Sequence, residues 1–188
     1  MHIHSENGAA VWAAMCEAMP GECADDTQAP DTASTVEDAV RVLDEAALDK
    51  GVILSLGYGY EEAALFIDRI ARHAPAVTFQ LAHMAGWGGY DPGTDGAIQA
   101  FLDAIENGVL DRSKIWFDTA AVLEAQLPDD VYADLQRRLI EIGFDRLLFA
   151  TDWDEVDPKS YLARLKEHLT LSDAEWDQFM SNQAPYLH

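Results

Sequence analysis

"VYADLQRRLIEIGFDRLLFATD", residues 131–152, contains a helix, its stop signal and a strand in one run. Val131, Leu135, Leu139 and Ile142 recur at helical spacing, Gly143 ends the pattern, and "RLLFATD" is a short apolar run of the kind that builds a buried strand. The same order appears upstream. From Ser34, "STVEDAVRVLDEAALDKG" has the capping pattern Ser34 to Glu37, apolar Val36, Val40, Leu43 and Ala47, and Gly51 beyond its end, and "VILSLG" follows as a strand. Residues 61–73 place Phe66, Ile67 and Ile70 on one helical face, Pro75 stops them, and "AVTFQLAH" reads as the next strand. Asp95 is placed to cap "GAIQAFLDAIENG", after which "KIWFDTA" is a strand. Helices are expected from Pro158 to Leu169 and from the box Ser172 to Glu175.

Alternating helix and strand is the signature of right-handed βαβ units on a parallel sheet. With "HIH" at residues 2–4 counted as the tip of a first strand, five strands are expected. A closed eight-unit barrel takes about 250 residues, and this chain has 188. The expected fold class is therefore α/β, with TIM-barrel-like parallel βα units in an incomplete barrel of about five strands. "MPGECADDTQAPDTA", residues 19–33, reads as a loop after the first strand.

Composition narrows the function classes. The chain carries 34 Asp and Glu against 12 Lys and Arg, formally −22, which repels phosphate backbones and anionic membrane surfaces. Nucleic acid and membrane partners are set aside on that ground, and the protein is read as acidic. No apolar run approaches the roughly 20 residues of a membrane span, and the first residues lack the pattern of a signal peptide. A cytoplasmic location is expected, with Cys16 and Cys23 as reduced thiols.

In parallel α/β folds, function gathers at the C-terminal ends of strands. There the sequence offers His2 and His4, His83 at the end of "QLAH", Asp118 at the end of "WFD" and Asp152 at the end of "LLFATD". Residues i and i+2 of a strand face the same side, so His2 and His4 can meet one ion while a carboxylate approaches from another strand end. Imidazole and carboxylate suit Zn²⁺, with Fe, Mn and Ni as alternatives, and a metal with an open position supplies hydroxide near neutral pH. Taken singly, His83 reads as a hydrogen-bonded core histidine, and Asp118 and Asp152 as caps of the turns that follow. The conjunction of HxH at the first strand, His83 at a middle strand end and Asp152 at the last strand end favours a metal site, and Asp118 keeps the structural reading. "GWGGYD", residues 86–91, reads as a tight turn beside His83.

The order "HIH", "FQLAHMAGWGGYD", "RLLFATDWD" and "SNQAPYL" resembles the amidohydrolase-related family of metal-dependent barrel hydrolases and decarboxylases. The resemblance implies a single domain over residues 1–188. It implies His2, His4 and Asp152 as metal ligands, most simply of zinc, with His83 and Asp152 as the catalytic acid–base pair acting on a small-molecule substrate. Two departures stand out. Met1 precedes His2 directly, where the family has an Asp two residues before its first His. About three βα units that the family carries between "VILSLGYGY" and "EEAALFIDRIARHAP" are missing, and His73, His168 and His188 match none of its ligands. The leading expectation is a metal-dependent hydrolase. A decarboxylase of the same family, and a non-catalytic remnant that persists as a homo-oligomer through its unpaired strand edges, are the alternatives.

Overall fold

A computed structural model describes residues 59–86, 88–123, 127–152 and 156–185, all within the unit Ser55–His188. The expected strands "HIH" and "VILSLG", the helix from Ser34, the loop 19–33 and both cysteines lie outside the described residues.

The described chain begins with helix α1 (Tyr60–Arg69) and a short 3₁₀ turn, Ala71–His73. Strand β1 (Phe79–Leu81), helix α2 (Pro92–Glu106), strand β2 (Ile115–Asp118), helix α3 (Asp129–Ile142) and strand β3 (Leu147–Leu148) then alternate. Helices α4 (Pro158–His168) and α5 (Asp173–Ser181) follow. The strands form one parallel sheet in the order β1-β2-β3, with Phe79 opposite Ile115, Leu81 opposite Phe117, and Phe117 opposite Leu147. The fold is mixed α/β with parallel strands joined through helices, as the alternation predicts.

One row of aromatic rings fixes which face of the sheet the helices cover. Phe66 of α1 meets Phe79 edge-on at 5.7 Å between ring centres, and Phe101 of α2 meets Phe117 edge-on at 6.0 Å. Burying a ring of this size contributes about 2–3 kcal/mol, and the edge-on geometry suits the ring quadrupoles. Because side chains alternate along a strand, Phe79, Leu81, Ile115 and Phe117 face the helices. Gln80, Trp116 and Asp118 take the opposite face.

Several boundaries differ from the sequence reading, each for a local reason. Helix α2 starts earlier than expected, since Pro92 occupies its first turn and the Asp91 carboxylate accepts a hydrogen bond from the Thr94 amide at 2.7 Å. Asp95 is therefore not the cap. Its carboxylate instead accepts from Arg138 of α3 at 2.7 and 2.8 Å and from the Tyr90 hydroxyl at 2.6 Å. Arg138 is buried, and also donates to Gln99 and Glu141, so every guanidinium nitrogen has a partner. The strands are shorter than the apolar runs, and a left-handed residue follows each one within four positions, at His83, Ala121 and Asp152.

The capping box is present as read: the Ser172 hydroxyl accepts from the Glu175 amide, and the Glu175 carboxylate accepts from the Ser172 amide at 2.7 Å. Beyond α5, the Asn182 side chain donates to the carbonyls of Phe144 and Leu147 at 2.6 and 2.8 Å, tying the segment after the last helix to the start of β3. Among the described residues no helix is long and apolar enough to cross a membrane.

Candidate functional site at the strand ends

The backbone marks out the C-terminal edge of the sheet. Five non-glycine residues among those described have positive φ: His83 (51°), Met84 (54°) and Ala85 (65°) after β1, Ala121 (53°) after β2, and Asp152 (63°) after β3. In the left-handed region a Cβ crowds the following carbonyl, which costs roughly 1–2 kcal/mol per residue. Strain of this kind persists only where surrounding bonds hold it, and it concentrates at functional sites.

The bonds that hold it are visible. Asp118, buried at the end of β2, accepts from the His83 amide at 3.0 Å and the Ala120 amide at 3.1 Å through Oδ1. Its Oδ2 accepts from Gln80 Nε2 at 2.8 Å. The left-handed turn after β1 is thereby fastened to the end of β2. Gly86 closes that turn where a Cβ would collide with the buried Thr94 of α2, so the sequence supplies glycine for close approach. Tyr90 then bonds through its amide to the Val122 carbonyl at 3.0 Å. Burial, together with the hydrogen bond to Asp95, pushes its phenol well above the ordinary tyrosine range. After β2, the Thr119 amide donates to the Leu148 carbonyl at 3.1 Å, and the buried Tyr161 hydroxyl of α4 donates to the Thr119 carbonyl.

His83 is half-buried, with Nδ1 3.0 Å from the Ala120 carbonyl oxygen. A carbonyl has no proton to give, so the ring must donate from Nδ1, which leaves Nε2 as the basic nitrogen of the neutral ring. Among the described residues Nε2 has no partner. Asp152 is exposed at the end of the segment after β3. Its main-chain carbonyl accepts from the Val156 amide at 3.2 Å, and no side-chain bond engages its carboxylate among the described residues.

His2 and His4 lie outside the described residues, and no group of three His, Cys, Asp or Glu side chains able to hold a metal occurs among those described. The two that are described, His83 and Asp152, are of residue types that can ligate a divalent cation. Histidines that bind metals commonly have their other ring nitrogen on a carbonyl, as His83 has, and the Asp152 carboxylate is uncommitted among the described residues. Trp87 and Trp153 of the neighbouring motifs also lie outside the described residues.

Asp118 keeps the structural reading, but its hydrogen bonds go further than a turn cap. The sequence signals the left-handed run at His83, Met84 and Ala85 only weakly, because none of the three is glycine and only His83 is of a type enriched there. A cavity of about 370 Å³ between α2 and α3 is lined by Leu102, Phe117, Arg112 and Arg146 among others. It opens on the helix-facing side of β2, away from His83, and Arg112 there is already engaged by Asp145 at 2.7 and 2.9 Å.

No family model matches the chain, and no curated protein matches it. Among solved structures the chain is similar to amidohydrolase 2 from Bifidobacterium longum subsp. infantis, at 14% identity over 77% of this chain and 51% of that one, with a TM-score of 0.47. It is similar to a 2,6-dihydroxybenzoate decarboxylase complexed with 2,6-dihydroxybenzoate, at 16% identity over 64% of this chain and 39% of that one, TM-score 0.40. It is also similar to a dihydroxybenzoic acid decarboxylase from Polaromonas sp. JS666 with bound manganese and the inhibitor 2-nitroresorcinol, at 19% identity over 78% and 44%, TM-score 0.39. The chain spans about half the length of the first of these and less of the other two.

Proposed function

We propose that this chain carries part of a metal-dependent hydrolase site of the amidohydrolase-related type, acting on a small organic substrate. The observation that carries the reading is His83, an imidazole held by its Nδ1 at the C-terminal edge of a parallel sheet in a strained turn, with Nε2 unpartnered among the described residues. In this reading His2, His4 and Asp152 hold a divalent cation, zinc being the simplest choice. When bound, the cation supplies Lewis acidity and lowers the pKa of water.

The chain's own residues do the rest. His83 accepts a proton at Nε2 from water within hydrogen-bond reach, while Nδ1 stays on the Ala120 carbonyl and prevents the ring from turning. Asp152 keeps the carboxylate oxygen that is not on the cation to accept or return a proton. The buried bonds of Asp118 and Thr119 keep the strand ends from relaxing around them. Decarboxylation would use the same residues, and product analysis separates the two.

The test is elemental analysis of the untagged protein beside His2→Ala and Asp152→Ala, followed by turnover of ester, amide and hydroxybenzoate substrates. About one metal per chain, lost in both variants, with turnover that falls roughly hundredfold in His83→Gln, is the expected result. A metal-free parent without turnover removes the proposal.

A further inference from the structure

Asp118 Oδ1 takes the amide protons of both His83 and Ala120, at 3.0 and 3.1 Å, and the Ala120 carbonyl takes the ring proton of His83 at 3.0 Å. These three bonds close a ring. One carboxylate oxygen holds the backbone of the histidine and the backbone of the residue that receives the histidine's proton. We propose that Asp118 is the positioning residue that fixes the tautomer and direction of the His83 imidazole. The inference deepens the reading of His83 as a proton acceptor and rests on that reading for its functional meaning.

The geometry supports this over a mere tie between strand ends. His83 stands at the first of three consecutive left-handed residues, and Ala120 immediately precedes another, Ala121. That oxygen bonds the amides of both residues, and a shift of either backbone separates Nδ1 from the carbonyl. Released from the carbonyl, the ring has no reason to keep its proton on Nδ1. What matters in this account is the acceptor and not its charge.

Asparagine can supply the acceptor. The oxygen of an asparagine at 118 can receive both amides, and its NH₂ group can donate to Gln80 once the Gln80 amide turns over. Gln80 Oε1 is now buried without a partner among the described residues, so the turned amide gives up no hydrogen bond at that end.

The experiment is two-bond proton–nitrogen correlation NMR of the whole chain, with ¹⁵N-labelled histidine, at a pH where the ring is neutral. His83→Gln identifies the His83 signals, and circular dichroism checks the fold of each variant. The expected wild-type pattern is a proton on Nδ1 with the two ring nitrogens well separated. Asp118→Asn should preserve it, and in Asp118→Ala both resonances should move toward a common mean.

A wild-type ring protonated at Nε2, or mixed, overturns the proposal, as does a folded Asp118→Ala that keeps the wild-type pattern or a folded Asp118→Asn that mixes. If Asp118→Ala does not fold, the wild-type and Asp118→Asn spectra decide. Metal content and turnover of the same samples keep the two readings apart. A metal-free, inactive protein with Nδ1 protonated removes the proposed function alone. A mixed tautomer in a metal-loaded, active protein removes this inference alone.

Discussion

Before β2 and β3 the chain turns on Gly108 and Gly143, at φ of 69° and 89°; after β1, β2 and β3 it turns on His83, Met84, Ala85, Ala121 and Asp152, at φ between 51° and 65°. Both sides of the sheet need left-handed backbone. On the entering side glycine meets the need without strain, and on the leaving side residues with side chains meet it under strain. Polar groups divide in the same way. Between α2 and α3, Arg138 is saturated by Asp95, Gln99 and Glu141, whereas at the leaving edge His83 Nε2 and the Asp152 carboxylate are uncommitted among the described residues. The entering side and the helix layer meet their backbone and polar needs without strain, and the leaving edge combines strained backbone with uncommitted polar groups among the described residues.

The largest test of that contrast removes a partner from the saturated side. Asp95→Ala leaves Arg138 buried without its main acceptor and should lower unfolding stability by about 3 kcal/mol in urea titration. A loss below about 1 kcal/mol would mean that the helix layer is no better satisfied than the edge. The same bond gives a pH signature. The guanidinium of Arg138 holds the Asp95 carboxyl below the ordinary carboxylate range, at about 2. The folded value is depressed, so this contribution is complete above the unfolded value near 4 and fades as pH falls toward 2. Asp95→Asn should flatten that part of the stability curve.

Next comes the glycine side. Gly143→Ala places a Cβ 2.5 Å from Arg112 Nη2 and 2.9 Å from Asp145 Oδ1 at positive φ, and should cost about 2 kcal/mol by thermal unfolding. Gly108→Ala meets open space and should cost about 1 kcal/mol, the backbone strain alone. Equal losses would show that crowding at Gly143 is relieved by movement of Arg112.

The smallest effect has the opposite sign. Asp152 is exposed and left-handed, so Asp152→Gly should raise stability by up to about 1 kcal/mol. A loss of stability instead would place Asp152 among the structural residues.

The sequence was readable wherever periodicity and punctuation governed. The apolar spacing of Leu135, Leu139 and Ile142 with Gly143 behind it, and the Ser172 to Glu175 box, carried over almost unchanged, since both are local. Asp95 was misplaced as a cap because its partner Arg138 lies far along the chain, and Asp91 with Pro92 takes the helix start. At the candidate site the residue types at the strand ends were legible. The turn that aims His83 was not, because its left-handed residues lack glycine and are fixed by Asp118 across the sheet.

The bonds from Asn182 to the carbonyls of Phe144 and Leu147 carry a consequence for biosynthesis. A growing chain presents β3 well before it presents the side chain that satisfies the approach to it. The third strand therefore cannot complete its bonding until α4 and α5 have been made, and docking of this last strand belongs late in folding. A clip just before Asn182 would leave the helices intact and return the end of the sheet to its nascent, unfastened state.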